Sequence, residues 1–336
     1  MTTPAANSRP RYAWLRQNGF LLGMGGAVAL AFAWPAPGSR GGALQPELLT
    51  TGGIALILFL QGLSLPFESV KSGAANWRLH VIIQGFTFVL FPLVGLLLNA
   101  VVPAVWTTQP EAIRLGFLYL CVLPSTISTS VVFTAVARGN TAGALFNAAF
   151  SNILGVLLTP ILVHLLMRTT GQTGAIGPLL LKISVLTLLP FTVGAILRPR
   201  LRAWIDAKKA WVARLSNAVV LFIVYAAFCD SVTEQIWQRY GPALTGTTFA
   251  VVVVLFAGMS GLLYTACRAL RLARGDFIAA YFCGVKKTLA LGVPLAVLIF
   301  GPRADLTLIL LPIIFYHLVQ LLANGVLANR WAKTGA

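Results

Sequence analysis

The chain has 336 residues, of which 58% are hydrophobic and only 10% charged, with a mean hydropathy of +0.85. Water-soluble domains carry roughly 25% charged residues, so this composition excludes an ordinary soluble protein and implies a polytopic membrane protein. The formal net charge of +17 invites a nucleic-acid reading, but the basic residues lie in short loops between apolar runs, the pattern of membrane orientation, and no nucleic-acid partner is expected.

A spanning helix needs about 20 apolar residues. Ten segments qualify: 19–34, 48–66, 79–100, 113–137, 140–167, 177–197, 212–229, 243–269, 277–299 and 304–328. The N-terminus, MTTPAANSRPRYAWLRQ, is basic and polar, and the first span runs into the Pro-rich WPAPGSR rather than a small-residue cleavage site. It therefore reads as a retained helix and not a signal peptide. The connections are brief, so residues 1–336 are expected to form one membrane domain.

Lys and Arg alternate correctly through all ten spans. One set of loops carries Arg9, Arg11, Arg16, Lys71, Arg78, Arg138, Arg198, Arg200, Arg202, Lys208, Lys209, Arg214, Arg268, Arg271, Arg274, Arg330 and Lys333. The other carries only Arg40, Arg114, Arg168, Arg239 and Arg303. Both termini are therefore expected in the cytoplasm, in the plasma (bacterial inner) membrane. The densest basic stretch, Arg198 to Arg214, sits at the midpoint and reads as a flexible linker, with contact to anionic membrane lipid as the alternative. Ten spans about that midpoint suggest two halves of five, with repeat one at about 19–167 and repeat two at about 177–328. An odd number of spans per half makes the repeats inverted.

The fourth and ninth spans are interrupted. In the fourth, Pro124 is followed by Ser125, Thr126, Ser128, Thr129 and Ser130, and Thr134 lies one turn further on. In the ninth, YFCGVKKTLALGVP, residues 281–294, places Lys286, Lys287 and Thr288 after a glycine where the helix should be most apolar. Breaks in corresponding positions of two halves are the best sequence pointer to a transporter's binding site. A break frees backbone N–H and C=O groups, which is tolerated only inside protein or against a cavity. Ser125, Thr126, Ser128, Thr129 and Ser130 can supply hydroxyl oxygens beside the freed carbonyls, and such a set of neutral oxygens suits a small hard cation such as sodium. The freed N–H groups at half-helix N-termini suit an anion. The alternative is that the hydroxyls bond back along their own helices or join neighbours.

Other polar residues fall on shared helix faces. Asn147 and Ser151 are spaced i, i+4, and Asn152 follows; Asn147 either completes an oxygen site with the preceding hairpin or bonds a neighbouring helix. Gln84 and Thr87 form a similar i, i+3 pair, and His317, Gln320 and Asn324 form a stripe assigned to helix contacts. Lys286 and Lys287 are too deep to snorkel easily, unlike Lys182 near a span end. Asp230, Glu234, Glu68, Asp276 and Asp305 all lie at loop edges, so neither deep lysine has an obvious carboxylate partner. They must face water, carbonyls at a break, or an anionic ligand. Cys121, Cys229, Cys267 and Cys283 show no metal-ligand spacing and read as small hydrophobes. No nucleophile–base pair or metal cluster appears, which argues against an enzyme. A non-transporting receptor, the remaining rival, would lack a cavity beside the breaks.

These segments together resemble the bile acid:sodium symporter family, solute carrier family ten, and especially its SBF-like branch. The matching residues are QGLSL (61–65), FPLVG (91–95), LPSTISTSVVFTAVARGNTAGALFNAAFSN (123–152) and FCGVKKTLALGVP (282–294). The resemblance implies an all-α fold of ten transmembrane helices in two inverted five-helix repeats, divided into panel and core subdomains, with broken helices four and nine crossing. It also implies two sodium ions behind the crossover and an organic anion as substrate. On this chain the family's Ser-Asn pair at the first sodium site falls on Thr129 and Ser130, and its fifth-span hydroxyls fall near Ala144 and Ala148, leaving Asn147 to substitute, so the resemblance implies a sodium ion at Thr129, Ser130 and Asn147. Its shared glutamate falls at about Phe282 and its glutamine at about Lys286. The expectation is a secondary carrier of a small organic anion, working by alternating access. Its coupling is either to sodium or, with a lysine replacing a cation, to protons or to no ion at all.

Overall fold

A computed structural model describes residues 13–64, 75–101, 110–169, 176–301, 303 and 305–333. Arg9, Arg11, Glu68 and Lys71 lie outside the described residues, as do the side chains of Arg16, Arg168 and Lys182.

The described chain is helical. In order the helices are α1 (Ala13–Ala33), α2 (Pro46–Leu63), α3 (Trp77–Val101), α4 (Glu111–Val122), α5 (Ile127–Val136), α6 (Thr141–Thr169), α7 (Ile176–Ala207), α8 (Lys209–Thr233), α9 (Ile236–Ala269), α10 (Arg274–Gly284), α11 (Leu289–Phe300) and α12 (Leu306–Lys333). Among the described residues, seven spans are long and apolar enough to cross a membrane, counting α10 with α11 as one. An eighth is the pair α4 and α5, bent by 59° at their break. The chain is thus a polytopic, all-helical membrane protein.

Local sequence explains the starts and bends. Asn76 caps α3 by accepting a hydrogen bond from the Leu79 N–H at 3.3 Å. Pro46 occupies the first turn of α2, where its missing N–H costs nothing. Gly241 (φ 69°, ψ 177°) precedes Pro242 and breaks off a short first turn from the rest of α9, so the long helix starts where the apolar run starts. Asp276, at the start of α10, accepts from Asn76 Nδ2 at 2.6 Å and from Asn140 Nδ2 at 2.7 Å. One carboxylate therefore clasps the starts of α3 and α10 to the turn after α5.

Two groups of helices can be distinguished by packing. In the first, α2 lies against α7, and α1 and α2 lie against α8. The approach of α2 and α7 is backbone on backbone. A Cβ on Gly62 would fall 2.0 Å from the Phe191 carbonyl oxygen, and one on Gly194 would fall 2.1 Å from that of Phe59. Small residues of this kind let helices touch in lipid, where hydrophobicity supplies no drive for association. In the second group α4, α5, α9 and α11 surround α12, and α10 packs on α5, α6 and α3.

The midpoint departs from expectation. Arg198 to Arg214 is not a flexible linker: α7 continues to Ala207, and α8 begins at Lys209 after a single intervening residue. Its Ala, Leu, Arg and Lys are good helix formers. Ile205 and Val212 bury themselves against Leu60 and Leu63 of α2, while Trp204 and Trp211 meet edge to face. That apolar footing turns a basic stretch into two helix ends.

Candidate functional site

The break in the fourth span lies at 123–126 and that in the ninth at 285–288, and the two touch directly. The Thr288 N–H donates to the Pro124 carbonyl at 2.9 Å, Ser125 Oγ donates to the Cys283 carbonyl at 2.6 Å, and Thr126 Oγ1 donates to the Lys287 carbonyl at 3.1 Å. Gly155 of α6 makes room for this crossing, since a Cβ there would fall 2.4 Å from Pro124 Cγ.

Every carbonyl that the first break frees is accounted for, as burial requires. Pro124 has no N–H to continue the α4 ladder, and the Leu120 carbonyl takes the Leu123 N–H instead. The Ser125 N–H goes to Ser151 Oγ at 3.0 Å, so it does not return to Cys121. The Val122 carbonyl takes Thr159 Oγ1, and the Ser125 carbonyl takes Asn152 Nδ2. The carbonyls of Cys121 and Leu123 accept from Lys287 Nζ, at 3.0 and 2.8 Å.

A third carbonyl joins that pair. In α3 the residues Phe86–Leu90 form a π turn, in which the Phe91 N–H bonds the Phe86 carbonyl. The next donor in that register would be Pro92, which has none. The Thr87 carbonyl is thereby left over, and Lys287 Nζ donates to it at 3.2 Å. The Phe91 ring faces the ammonium at 4.0 Å, a cation–π contact. Lys287 is fully buried. Its own backbone is held by Gln320, whose Oε1 accepts from the N–H at 2.9 Å and whose Nε2 donates to the carbonyl at 2.8 Å. Tyr316 donates to the Val285 carbonyl at 2.7 Å. Of the α12 stripe, Gln320 holds the second break and His317 Nδ1 lies 2.9 Å from Gln320 Nε2, whereas Asn324 makes no such contact. Gln320, Tyr316, Thr159 and Pro92 were not singled out from sequence as part of a site; the i, i+3 spacing of His317 and Gln320 marked the face without showing what it faced.

Lys286 is equally buried but is placed differently. Its Nζ lies 3.9 Å from the centre of the Phe133 ring and has no hydrogen-bond partner. Cys283 and His317 are its polar neighbours. Thr129 Oγ1, Ser130 Oγ and both amide atoms of Asn324 are also buried without partners. Thr129 and Ser130 stand one turn before Phe133 on α5, so they share the face over which this ammonium sits.

Asn147 is not delivered to Thr129 and Ser130. Its Oδ1 is engaged by His80 Nδ1 at 3.2 Å and by Gln84 Nε2 at 3.3 Å, and its Nδ2 donates to the Gly143 carbonyl. Gln84 Oε1 and Thr87 Oγ1 are buried without partners. The sodium set expected from sequence thus comes down to two hydroxyls, with no carboxylate, beside a buried lysine Nζ that has no hydrogen-bond partner. As placed, these residues do not fit a sodium ion.

Against the crossover lies a cavity of about 640 Å³. Thr126, Ser128 and Thr288 line one wall, and Arg198, Arg202 and Lys209 of the midpoint helices line the other, with Asp206 as the carboxylate among them. Thr126 and Thr288 are the N-cap residues of α5 and α11, and neither caps its helix with its side chain. Two uncapped half-helix N-termini therefore open into one cavity. Arg198 pairs with Asp206 at 3.0 Å through Nη2, while its Nη1 is buried without a partner.

The profile of the SBF-like CPA transporter family matches residues 18–333. The chain belongs to that family. An uncharacterized protein of Pseudomonas aeruginosa is 38% identical over 97% of this chain and 95% of its own length. The Escherichia coli protein named "Putative symporter YfeH" is 36% identical over 94% of this chain and 92% of its own. Sodium/bile acid cotransporter 7 of Rattus norvegicus is 30% identical over 93% and 92%, respectively. The family, by its description, is one of transporters.

Proposed function

We propose that this protein is a secondary carrier of a small organic anion, working by alternating access in the bacterial inner membrane with both termini in the cytoplasm. The observation that carries the reading is the cavity, in which two uncapped helix N-termini face Arg198, Arg202 and Lys209. Partial positive charge at helix N-termini and guanidinium forks both select carboxylate-like groups. The spare Arg198 Nη1 is a donor waiting for an acceptor, and leaving a buried donor unpaired costs about 1–3 kcal/mol, which an anion would recover.

In this reading Thr126, Ser128 and Thr288 position the anion against the crossover, and the apolar walls, including Leu60 and Phe191, take its organic part. Taking α1 and α7 as spans beside the eight already counted makes ten, in two inverted repeats at about 19–167 and 177–328. The crossover moves as a unit, because its two halves are tied by three hydrogen bonds. The group of α1, α2, α7 and α8 is the panel against which it rocks. Nothing in this reading needs a sodium ion at Thr129, Ser130 and Asn147, or any partner beyond substrate and lipid.

The test is uptake into proteoliposomes of a panel of radiolabelled organic anions, with and without a sodium gradient. Saturable uptake of at least one anion is expected, together with competition by other carboxylates. If organic cations and neutral solutes compete as well as carboxylates do, the anion assignment fails.

A further inference from the structure

The Lys287 side chain ends in a chamber built for a cation. Its three carbonyls come from two separate chain segments and are orphaned for three different local reasons. Cys121 loses its donor to Ser151, Leu123 lies at the break made by Pro124, and Thr87 faces the missing N–H of Pro92. An ammonium offers three N–H donors, one for each carbonyl, whereas a neutral amine offers two. The face of Phe91 closes a further side at 4.0 Å. Among the described residues no carboxylate pairs with this lysine; the ion pairs are Arg40–Asp230, Arg198–Asp206, Arg202–Asp206 and Arg303–Asp305. A lone cation this deep costs at least a few kcal/mol unless something replaces its water. Here neutral oxygen dipoles do so, in the manner that a carbonyl ring strips and holds a small monovalent ion.

We infer that Lys287 is a tethered stand-in for a monovalent cation at the helix crossover, and that removing its side chain opens a site for a free one. The inference deepens the carrier reading, because a carrier whose crossover charge is covalently attached has no need to bind a coupling ion at that point. The lysine is a positioning residue. It holds the end of α4 against α3 and the second break, and does not reach the cavity where Thr126, Ser128 and Thr288 lie.

The experiment uses thermal unfolding of the purified full chain in detergent, at constant ionic strength, in sodium, methylammonium or choline chloride. The parent should melt at the same temperature in all three. Lys287→Ala should melt lower in choline and recover by roughly 2–4 °C in sodium or methylammonium. Lys287→Met, which fills the chamber without a charge, should be destabilised and indifferent to the salt. If Lys287→Ala is recovered only as aggregate in choline, solubilisation in sodium or methylammonium should restore a monodisperse protein. A Lys287→Ala protein that responds to the small cations no more than the parent does, or a Lys287→Met protein that responds equally, overturns the inference. Because the readout is stability, it stands or falls independently of anion uptake. Loss of the cation response would leave the carrier reading intact, and absence of uptake would leave the chamber intact.

Discussion

Replacing Gln320 with leucine tests whether the crossover is held by satisfied backbone groups rather than by packing. Among the described residues Gln320 alone accepts from the Lys287 N–H, at 2.9 Å, and it is one of two side-chain donors to the Lys287 carbonyl, the other being Thr126 at 3.1 Å. Leucine keeps much of the volume, so the loss is polar. An orphaned buried N–H costs about 1–3 kcal/mol, and the carbonyl, which keeps one donor, loses about 0.5–1.5 kcal/mol. Side-chain hydrogen bonds in membrane proteins average only about 0.6 kcal/mol, because the unfolded chain in lipid finds other partners. A backbone N–H held away from its own helix has no such substitute in the native state, so the larger figure applies. The expected total is about 2–4 kcal/mol, read as a fall in melting temperature of about 3–6 °C. Gln320→Glu adds a sign. When protonated it both accepts from the Lys287 N–H and donates to the carbonyl, and when ionised it can only accept. Its deficit relative to the parent should therefore shrink as pH falls. A Gln320→Leu protein that melts with the parent would refute the hydrogen-bond accounting of the second break.

Gly62→Val should abolish the close contact of α2 with α7, because its Cβ would meet the Phe191 carbonyl oxygen at 2.0 Å; size-exclusion profiles should show lost monodispersity, while Gly52→Ala, with open space at its Cβ, should match the parent. Asp276→Ala removes the shared acceptor of Asn76 and Asn140, and limited trypsin cleavage after Arg138 should accelerate, whereas an unchanged rate would dismiss the clasp. Arg198→Gln should raise the half-saturating concentration for the transported anion about tenfold, the equivalent of ~1.4 kcal/mol, at unchanged protein level; if uptake kinetics are unaltered, the cavity cations are there for orientation alone.

Much was legible in the sequence. Apolar runs and alternating Lys and Arg report lipid contact and loop side, which are one-dimensional properties, so the membrane class and the element order followed directly. The breaks were visible because Pro124 and the polar residues after it, and the pair Lys286 and Lys287, violate what a continuous helix in lipid can hold. The requirement that the lysines face carbonyls, water or an anion followed from the absence of deep carboxylates. Which carbonyls, and for which lysine, did not. Lys286 and Lys287 are adjacent and chemically identical, yet one ends among three backbone oxygens and the other over Phe133 without a partner. That difference depends on Thr87 lying 200 residues away in sequence and on the π register of α3. Asn147 was drawn to Gln84 and His80 rather than to Ser130 for the same reason: an amide on a helix bonds whichever neighbour packing supplies. The basic midpoint likewise looked like a linker until α2 offered Leu60 and Leu63 for Ile205 and Val212 to cover. Local chemistry decided where the helices had to break, whereas only the meeting of distant segments decided which freed groups found partners and which were left for a ligand.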